Sequence, residues 1–400
     1  NPKVRHHWLH EKKTRKLAQK MIQQNGKSKT VVLFHAASTG EFEQLQPVLK
    51  KIDRSQYFIL LSFFSPTVFK SEKKTHLADA VCYHPFDFPW SAWFFFRQLK
   101  IKYYIITRND IWPTHLLIAK RLGIHTILIN ANLYRKYHYT SWLYRSFFKI
   151  VLSQFNLILT SSDRLKNNLI KVVSPEKIIV TGDSRLDRIL KRQTENTKPL
   201  LPDTYQESRT LILGSVNSTD YPYIIEGLEK NYPNGQQSLE EKDHRIIIVP
   251  HEVDQSHLLV IEKKLDEFGF DWVYYSERDK LQNSRVVIID TIGILADLYA
   301  FSDAAYVGAG FGAGVHSVIE PAVYENAVSF GPNFHIVDMA VSLLKNNLAS
   351  VIETAEDFAQ FCTLLEDKEK LERIREYIKD YILNQPIAAE NITQAIFNHD

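Results

Sequence analysis

The sequence predicts an α/β protein made of two βαβ domains in tandem, each with a parallel sheet. Three observations predict it. The chain has 400 residues, and at roughly 100–200 residues per domain that length suits two domains. Short, continuous apolar runs alternate with amphipathic stretches along its whole length, as strands buried on both faces and joined by helical crossovers require. Finally, the charge changes sign near the middle. Residues 1–200 carry 34 Lys+Arg against 13 Asp+Glu, whereas residues 201–400 carry 15 against 33.

The strand candidates of the first half are 30–35, 57–62, 79–83, 102–107, 125–130, 156–160 and 177–181. Those of the second are 209–214, 244–249, 270–274, 285–290, 303–307 and 326–330. Residues 190–208 are polar, contain two prolines and lack a hydrophobic period, which reads as a linker. This gives a basic domain over 1–190, a linker over 191–208 and an acidic domain over 209–400. The stretch 354–397 reads as helix, and the last helix is a candidate to cross back to the first domain.

Composition excludes several classes. Apolar residues make up 44% and charged residues 24%, so the chain is neither disordered nor collagen-like. The cysteines Cys82 and Cys362 are too far apart in sequence for a disulfide framework or zinc ribbon, which points to a reducing compartment. No run reaches the roughly 18 apolar residues of a membrane span. The basic half calls for an anionic partner. Its first 30 residues hold nine Lys/Arg and one acid. Among them, Lys12, Lys13, Arg15, Lys16 and Lys20 fall on a helix with Leu17, Met21 and Ile22 between them. Aromatic-rich stretches at 90–96 and 134–148 suit either core packing or a lipid–water interface.

In open α/β sheets, ligands bind beyond the C-terminal strand ends. The first such turn, 35–41, contains Ser38, Thr39, Gly40 and Glu41 and opens a helix over 42–52. Small residues let backbone N–H groups approach an anion, and the helix dipole is expected to keep Glu41 ionised, as a proton acceptor requires. The same Ser38-to-Glu41 spacing is that of a helix capping box, and the residues alone leave both readings open. The second turn, 308–317, holds four of the chain's fourteen glycines. It follows a strand and is expected to open a helix, giving a phosphate cradle, with Glu320 about one and a half turns on, within reach of a ribose. Tight helix–strand packing is the alternative. Gly214 and Ser215, Pro250, His251 and Glu252, and Asp290 and Gly293 end other strands of the second domain. No acidic or Cys/His metal motif is visible, so no bound metal is expected. His84, His115, His138 and His257 appear scattered and ordinary.

These turns together resemble the 3-deoxy-D-manno-octulosonic acid (Kdo) transferases. The resemblance rests on an ordered set: 35–41, Ile111-Trp112-Pro113, 130–133, 181–187, Gly214-Ser215, Pro250-His251-Glu252, 290–293, and the glycine-rich loop through Glu320-Pro321-Ala322 to Phe330-Gly331-Pro332. Within it, Asp110, Ile294 and Ser317 depart from the family's usual residues. The resemblance implies a GT-B fold, two Rossmann-like domains facing a cleft. It implies metal-independent, inverting transfer of Kdo from CMP-Kdo to a lipid A precursor, with Glu41 as general base and no cofactor beyond the donor. It assigns donor binding to Gly214, Ser215, Pro250, His251, Glu252, Asp290, Gly293, Gly310, Gly312, Gly314, His316, Ser317 and Glu320. Acceptor or phosphate binding falls to Ser38, Thr39, Gly40, Arg108 and Arg185. The expected partners are the lipid acceptor and an anionic membrane, with no nucleic acid. The expected location is the cytoplasmic face of the bacterial inner membrane, reached through an N-terminal anchor absent from this chain. The competing readings are a GT-B enzyme using a UDP-sugar and a non-catalytic membrane-surface protein.

Overall fold

The computed structural model describes residues 2–108, 110–135, 137–195 and 199–398. The chain forms two compact units, residues 1–188 with 386–400, and residues 189–385. Each unit contains one seven-stranded sheet, and every strand pair is parallel.

The first sheet comprises β1 (Thr30–Ala36), β2 (Tyr57–Phe63), β3 (Ala80–Tyr83), β4 (Tyr103–Thr107), β5 (His125–Ala131), β6 (Leu157–Thr160) and β7 (Ile178–Val180), in the order β3-β2-β1-β4-β5-β6-β7. The second comprises β8 (Arg209–Val216), β9 (His244–Pro250), β10 (Trp272–Tyr274), β11 (Val286–Ile288), β12 (Ala304–Val307), β13 (Ala327–Phe330) and β14 (Ala349–Val351), in the order β10-β11-β9-β8-β12-β13-β14. The order reverses at β1 in one sheet and at β8 in the other, which fixes the crevice where a doubly wound sheet takes its ligand. All thirteen expected strands form, with ends shifted by a few residues. The addition is β14, a three-residue edge strand with no fully buried position, too short and polar to show as an apolar run.

Continuous apolar strands are buried because helices cover both faces. In the first unit, Leu33, Leu60, Tyr104 and Leu128 pack into one helix layer, and Val32, Phe34, Ile59 and Ile105 into the other. The second unit repeats this, with Leu211, Leu213 and Ile246 on one side and Ile212, Ile247 and Val287 on the other. Among the described residues, no helix is long and apolar enough to cross a membrane.

The expected domain limits need correction. Position 190 falls inside a continuous helix, Ser184–Glu195, and the expected linker 191–208 contains the end of that helix and a short one, Thr204–Glu207. Residues 196–198 of that segment lie outside the described residues. Residues 386–400, which carry the helix named above as a candidate to cross back, belong to the first unit, so the second domain ends before 400. The helix Ala388–Phe397 buries Ala388, Ala389, Ile392 and Ile396 against Leu45, Val48 and Leu49 of the helix Thr39–Lys51. Each fully buried isoleucine contributes about 1.5–3 kcal/mol. The Asp187 carboxylate accepts the Ala388 and Ala389 N–H groups at 3.2 and 2.5 Å, capping that helix. The helical stretch 354–397 is three helices, Ala355–Cys362, Lys368–Leu383 and Ala388–Phe397, with Pro386 between the last two.

Candidate active site

The first unit gathers its polar residues at the C-terminal edge of its sheet. Ser38 caps the helix Thr39–Lys51, its hydroxyl accepting the Glu41 N–H at 3.3 Å. Thr39 and Gly40 form the first turn. The Glu41 carboxylate turns back to accept the Ala37 N–H at 2.6 Å, so it binds the residue before the cap and only half of the capping box forms. Burial pushes the Glu41 carboxyl above its ordinary value. The Ala37 bond opposes this, Asp110 adds to it, and His35 and Arg108 oppose it. Among these influences burial is the largest. A base whose pKa lies nearer neutrality is the better proton acceptor.

Arg108 follows β4 with φ +64, a strained left-handed conformation for a side chain of this size. Its N–H donates to Ile129 O at 2.9 Å, so the strand end holds the strained residue in place. Burial lowers its pKa, and the Arg185 charge lowers it further. Arg185 forms a forked pair with Asp183 (Nη2–Oδ2 3.0 Å, Nε–Oδ1 3.5 Å). Burial pushes the Asp183 carboxyl up, but Arg185 and Arg108 pull it below the ordinary carboxylate value. Arg108 and Arg185 thus stand on the same edge as the carboxylates of Glu41, Asp110 and Asp183, and guanidinium groups suit the oxygens of an anionic substrate.

His84 and His115 are not scattered. Both are buried and linked through Ser62 to His35, and His35 Nε2 lies 2.6 Å from Asp110 Oδ2. Only tertiary structure assembles this set, which comes from β1, β2, the turn after β3 and the helix Pro113–Arg121. His257, by contrast, lies at the surface, 2.5 Å from Asp254 through Nδ1.

In the second unit the predicted residues end adjacent strands β11, β9, β8, β12 and β13. Ser215 sits at a register shift in β8 with φ +57, and its hydroxyl lies 2.9 Å from His251 Nδ1. The His251 ring stacks on His316 at 4.5 Å and 18°. Ser215, Pro250, His251 and His316 are thereby brought together beside Gly214. Asp290 and Gly293 follow β11, and Asp290 Oδ1 accepts the Ser276 N–H at 3.1 Å. Glu252 is exposed and lies 3.6 Å from His257. Glu252, Asp254 and His257 bring ligand atoms within 4.8 Å of one another at the surface.

The glycine-rich loop differs from the expected cradle. The N–H groups of Gly312 and Gly314 both donate to Ala309 O, that of Val315 to Asn333 O and that of His316 to Gly308 O. The loop therefore spends much of its backbone on itself. Its glycines serve close packing. A Cβ at Gly308 would sit 2.3 Å from Ser215 O, and one at Gly310 would sit 2.5 Å from Gly331 N. Buried Asp220, which sequence reasoning missed, pins the loop by accepting the Ala309 N–H at 2.8 Å and the Tyr306 hydroxyl at 2.9 Å. The helix that follows is only Ile319–Val323, and Glu320 is its second residue, not one and a half turns in. What the loop offers a ligand is side chains. His316 Nε2, Ser317 Oγ and Glu320 Oε2 are buried with no hydrogen-bond partner. Buried orphans cost about 1–3 kcal/mol each, and three within five residues mark a site that a polar ligand completes.

Two doubly wound parallel domains in one chain define the GT-B class of glycosyltransferases and related sugar enzymes. The glycosyltransferase from Rickettsia africae ESF-5 shares this fold, with a TM-score of 0.61 at 14% identity, covering 93% of this chain and all of that one. The family is more particular. Residues 11–188 match the 3-Deoxy-D-manno-octulosonic-acid transferase (kdotransferase) family. The 3-deoxy-D-manno-octulosonic acid transferase of Chlamydia muridarum (strain MoPn / Nigg) is 27% identical over 380 residues, which cover 90% of this chain and 84% of that protein. That of Aquifex aeolicus (strain VF5) is 28% identical over 309 residues, 76% of each. The first unit thus matches the Kdo transferase family, and most of the chain is similar to curated members of it.

Proposed function

We propose that this chain transfers Kdo from CMP-Kdo to a lipid A precursor, with inversion and without a metal, and that Glu41 deprotonates the acceptor hydroxyl. The observation that carries this reading is Glu41 itself. It is a carboxylate with a raised pKa at the switch-point edge of a doubly wound sheet, on the same edge as Arg108 and Arg185. A base must accept a proton at that point, and a bisphosphorylated acceptor needs the guanidinium groups. In the second unit, Glu320, His316 and Ser317 offer unmatched polar atoms to the donor, with Ser215 and His251 beside them.

Membrane attachment is part of the proposal. The helix Trp142–Leu152 exposes Trp142 (81%), Leu143, Phe147 and Ile150, with Arg145 and Lys149 between them, and the helix Pro89–Leu99 exposes Trp90 and Phe94. Apolar side chains beside basic ones suit an anionic lipid surface. Part of the expected surface is core instead. Phe95 and Phe96 are buried, as is Ile22 of the first helix, Pro2–Asn25. Arg15 is spent on Glu11 at 3.4 Å. Within 134–148, Lys136 lies outside the described residues.

The test is direct. The protein is incubated with a tetraacyl lipid A precursor and either CMP-Kdo or a UDP-sugar, and the lipid is weighed by mass spectrometry. The proposal requires a Kdo mass increment with CMP-Kdo alone. An increment with the UDP-sugar would make the chain a different GT-B transferase.

A further inference from the structure

One buried side chain ties the helix that carries Glu41 to the turn that carries Arg185, and the proposed reaction does not use it directly. The Ser184 hydroxyl lies 2.8 Å from Gln44 O, a backbone carbonyl 140 positions away in the helix Thr39–Lys51. The Asn130 side-chain amide lies against the same hydroxyl, with Nδ2 at 3.0 Å and Oδ1 at 3.2 Å. Ser184, Gln44 and Asn130 are all buried, so each polar group needs its partner inside the protein.

The atoms present fix the direction of these bonds. Of the two oxygens 2.8 Å apart, only Ser184 Oγ carries a hydrogen, so Ser184 donates and Gln44 O accepts. That spends the single Ser184 proton. The Asn130 amide N–H then donates to the Ser184 oxygen, whichever way the amide is turned. Asn130 reaches this place at a register shift of β5 on β6, with φ +53, a left-handed conformation that Asn tolerates better than most side chains. Ser184 opens the helix Ser184–Glu195. Beside it, Asp183 accepts the Arg185 N–H at 2.9 Å and forks to the Arg185 guanidinium, so Arg185 is held within its own turn.

The Glu41 helix gains from an outside hold. Pro47 lies inside it, and proline offers no N–H to the carbonyl four residues back, that of Glu43. The missing rung falls between the first turn, where Glu41 stands, and Val48 and Leu49, which pack with the helix Ala388–Phe397. Gln44, one turn after Glu41, is where Ser184 takes hold. We propose that Ser184 and Asn130 are positioning residues for the base: they lock the Glu41 helix against the Arg185 turn, so that an acceptor whose anionic group sits on Arg185 presents its hydroxyl to Glu41. The proposal rests on the reading of Glu41 as the base. A misplacement of about 1 Å costs roughly 100-fold in rate, and a hydrogen bond between the two elements removes that freedom.

The intact chain is assayed with CMP-Kdo and a tetraacyl lipid A precursor, comparing wild type, Ser184→Ala and Asn130→Gly, each also combined with Glu41→Gln. Glycine deletes the Asn130 amide and accepts the positive φ without strain. Ser184→Ala is expected to lower kcat about 10–100-fold and to leave KM for CMP-Kdo unchanged. Asn130→Gly, which leaves Ser184 its bond to Gln44 but removes its orienting donor, is expected to lower kcat by a smaller factor. Against the residual turnover of Glu41→Gln, both substitutions should cost nothing further, because no base is left to place. A merely structural role would lower both backgrounds equally. A folded Ser184→Ala with wild-type kcat overturns the proposal, as does an equal loss in the two backgrounds. If Ser184→Ala does not fold, Asn130→Gly decides it by the same comparison. Near-normal turnover in Glu41→Gln alone overturns the base reading instead, whereas a large loss in Glu41→Gln that Ser184→Ala deepens overturns only the positioning.

Discussion

The Glu41 carboxylate accepts the Ala37 N–H at 2.6 Å, reaching back past the Ser38 cap of its own helix. The residue therefore has a local bond that an amide oxygen can also make, and a charge that burial disfavours. These two properties separate its structural role from its chemical one.

The stability consequence has a definite sign. Burial raises the folded pKa of Glu41 above its ordinary 4.5, so the folded state holds the proton to higher pH than the unfolded state does. Its contribution is most favourable below about pH 4.5 and is lost as pH rises through the folded pKa. Glu41→Gln keeps the acceptor for Ala37 and removes the charge. The variant should gain thermal stability over wild type at pH 7 and show no gain at pH 4. Calorimetric unfolding at the two pH values checks this.

Donor binding should depend on the orphaned carboxylate. Glu320 Oε2 is buried without a partner, and a hydrogen bond to a charged group contributes about 1.5–3 kcal/mol. Glu320→Ala should weaken CMP binding by about tenfold or more in a calorimetric titration without lowering the melting temperature of the ligand-free protein. Unchanged CMP affinity would remove Glu320 from the donor site.

Metal independence can be tested by chelation. Glu252, Asp254 and His257 cluster at the surface, but the proposed chemistry uses Glu41 and the guanidinium groups of the other unit. Activity should survive EDTA and should not rise with added Mg²⁺. Loss on chelation, restored by Mg²⁺, would contradict the account.

Membrane binding should depend on the exposed helix face. Replacing Trp142, Phe147 and Ile150 by Ser should reduce sedimentation with anionic vesicles and leave CMP affinity unchanged, because these side chains belong to the other unit. Salt should weaken wild-type binding as it screens the basic residues. Binding to neutral and anionic vesicles alike would contradict the electrostatic part.

The strands were legible because strands buried on both faces write themselves as unbroken apolar runs; β14, half-exposed and three residues long, left no such trace. Glu41 was legible because its cap and its carboxylate sit three residues apart. The glycine-rich loop was visible, but its purpose was not. Glycines that admit a phosphate and glycines that admit a neighbouring backbone look alike until Ser215 O and Gly331 N are in place. Asp220 and the His84–Ser62–His35 chain were invisible because their partners are far apart in sequence and meet only through the parallel register. The last helix was named as a candidate to cross back, but its anchor was not legible: Asp187 caps it from some 200 positions away, a pairing without local pattern.

The central claim is that Glu41 is the base of a Kdo transfer. The most direct measurement compares wild type and Glu41→Gln under identical conditions, with CMP-Kdo and a tetraacyl lipid A precursor, following Kdo-bearing lipid by mass spectrometry. Loss of a general base costs roughly 10²–10⁴ in rate. The account predicts a loss of that size with a folded variant and unchanged CMP affinity. Near-normal turnover by Glu41→Gln would contradict it and leave Glu41 only its bond to Ala37.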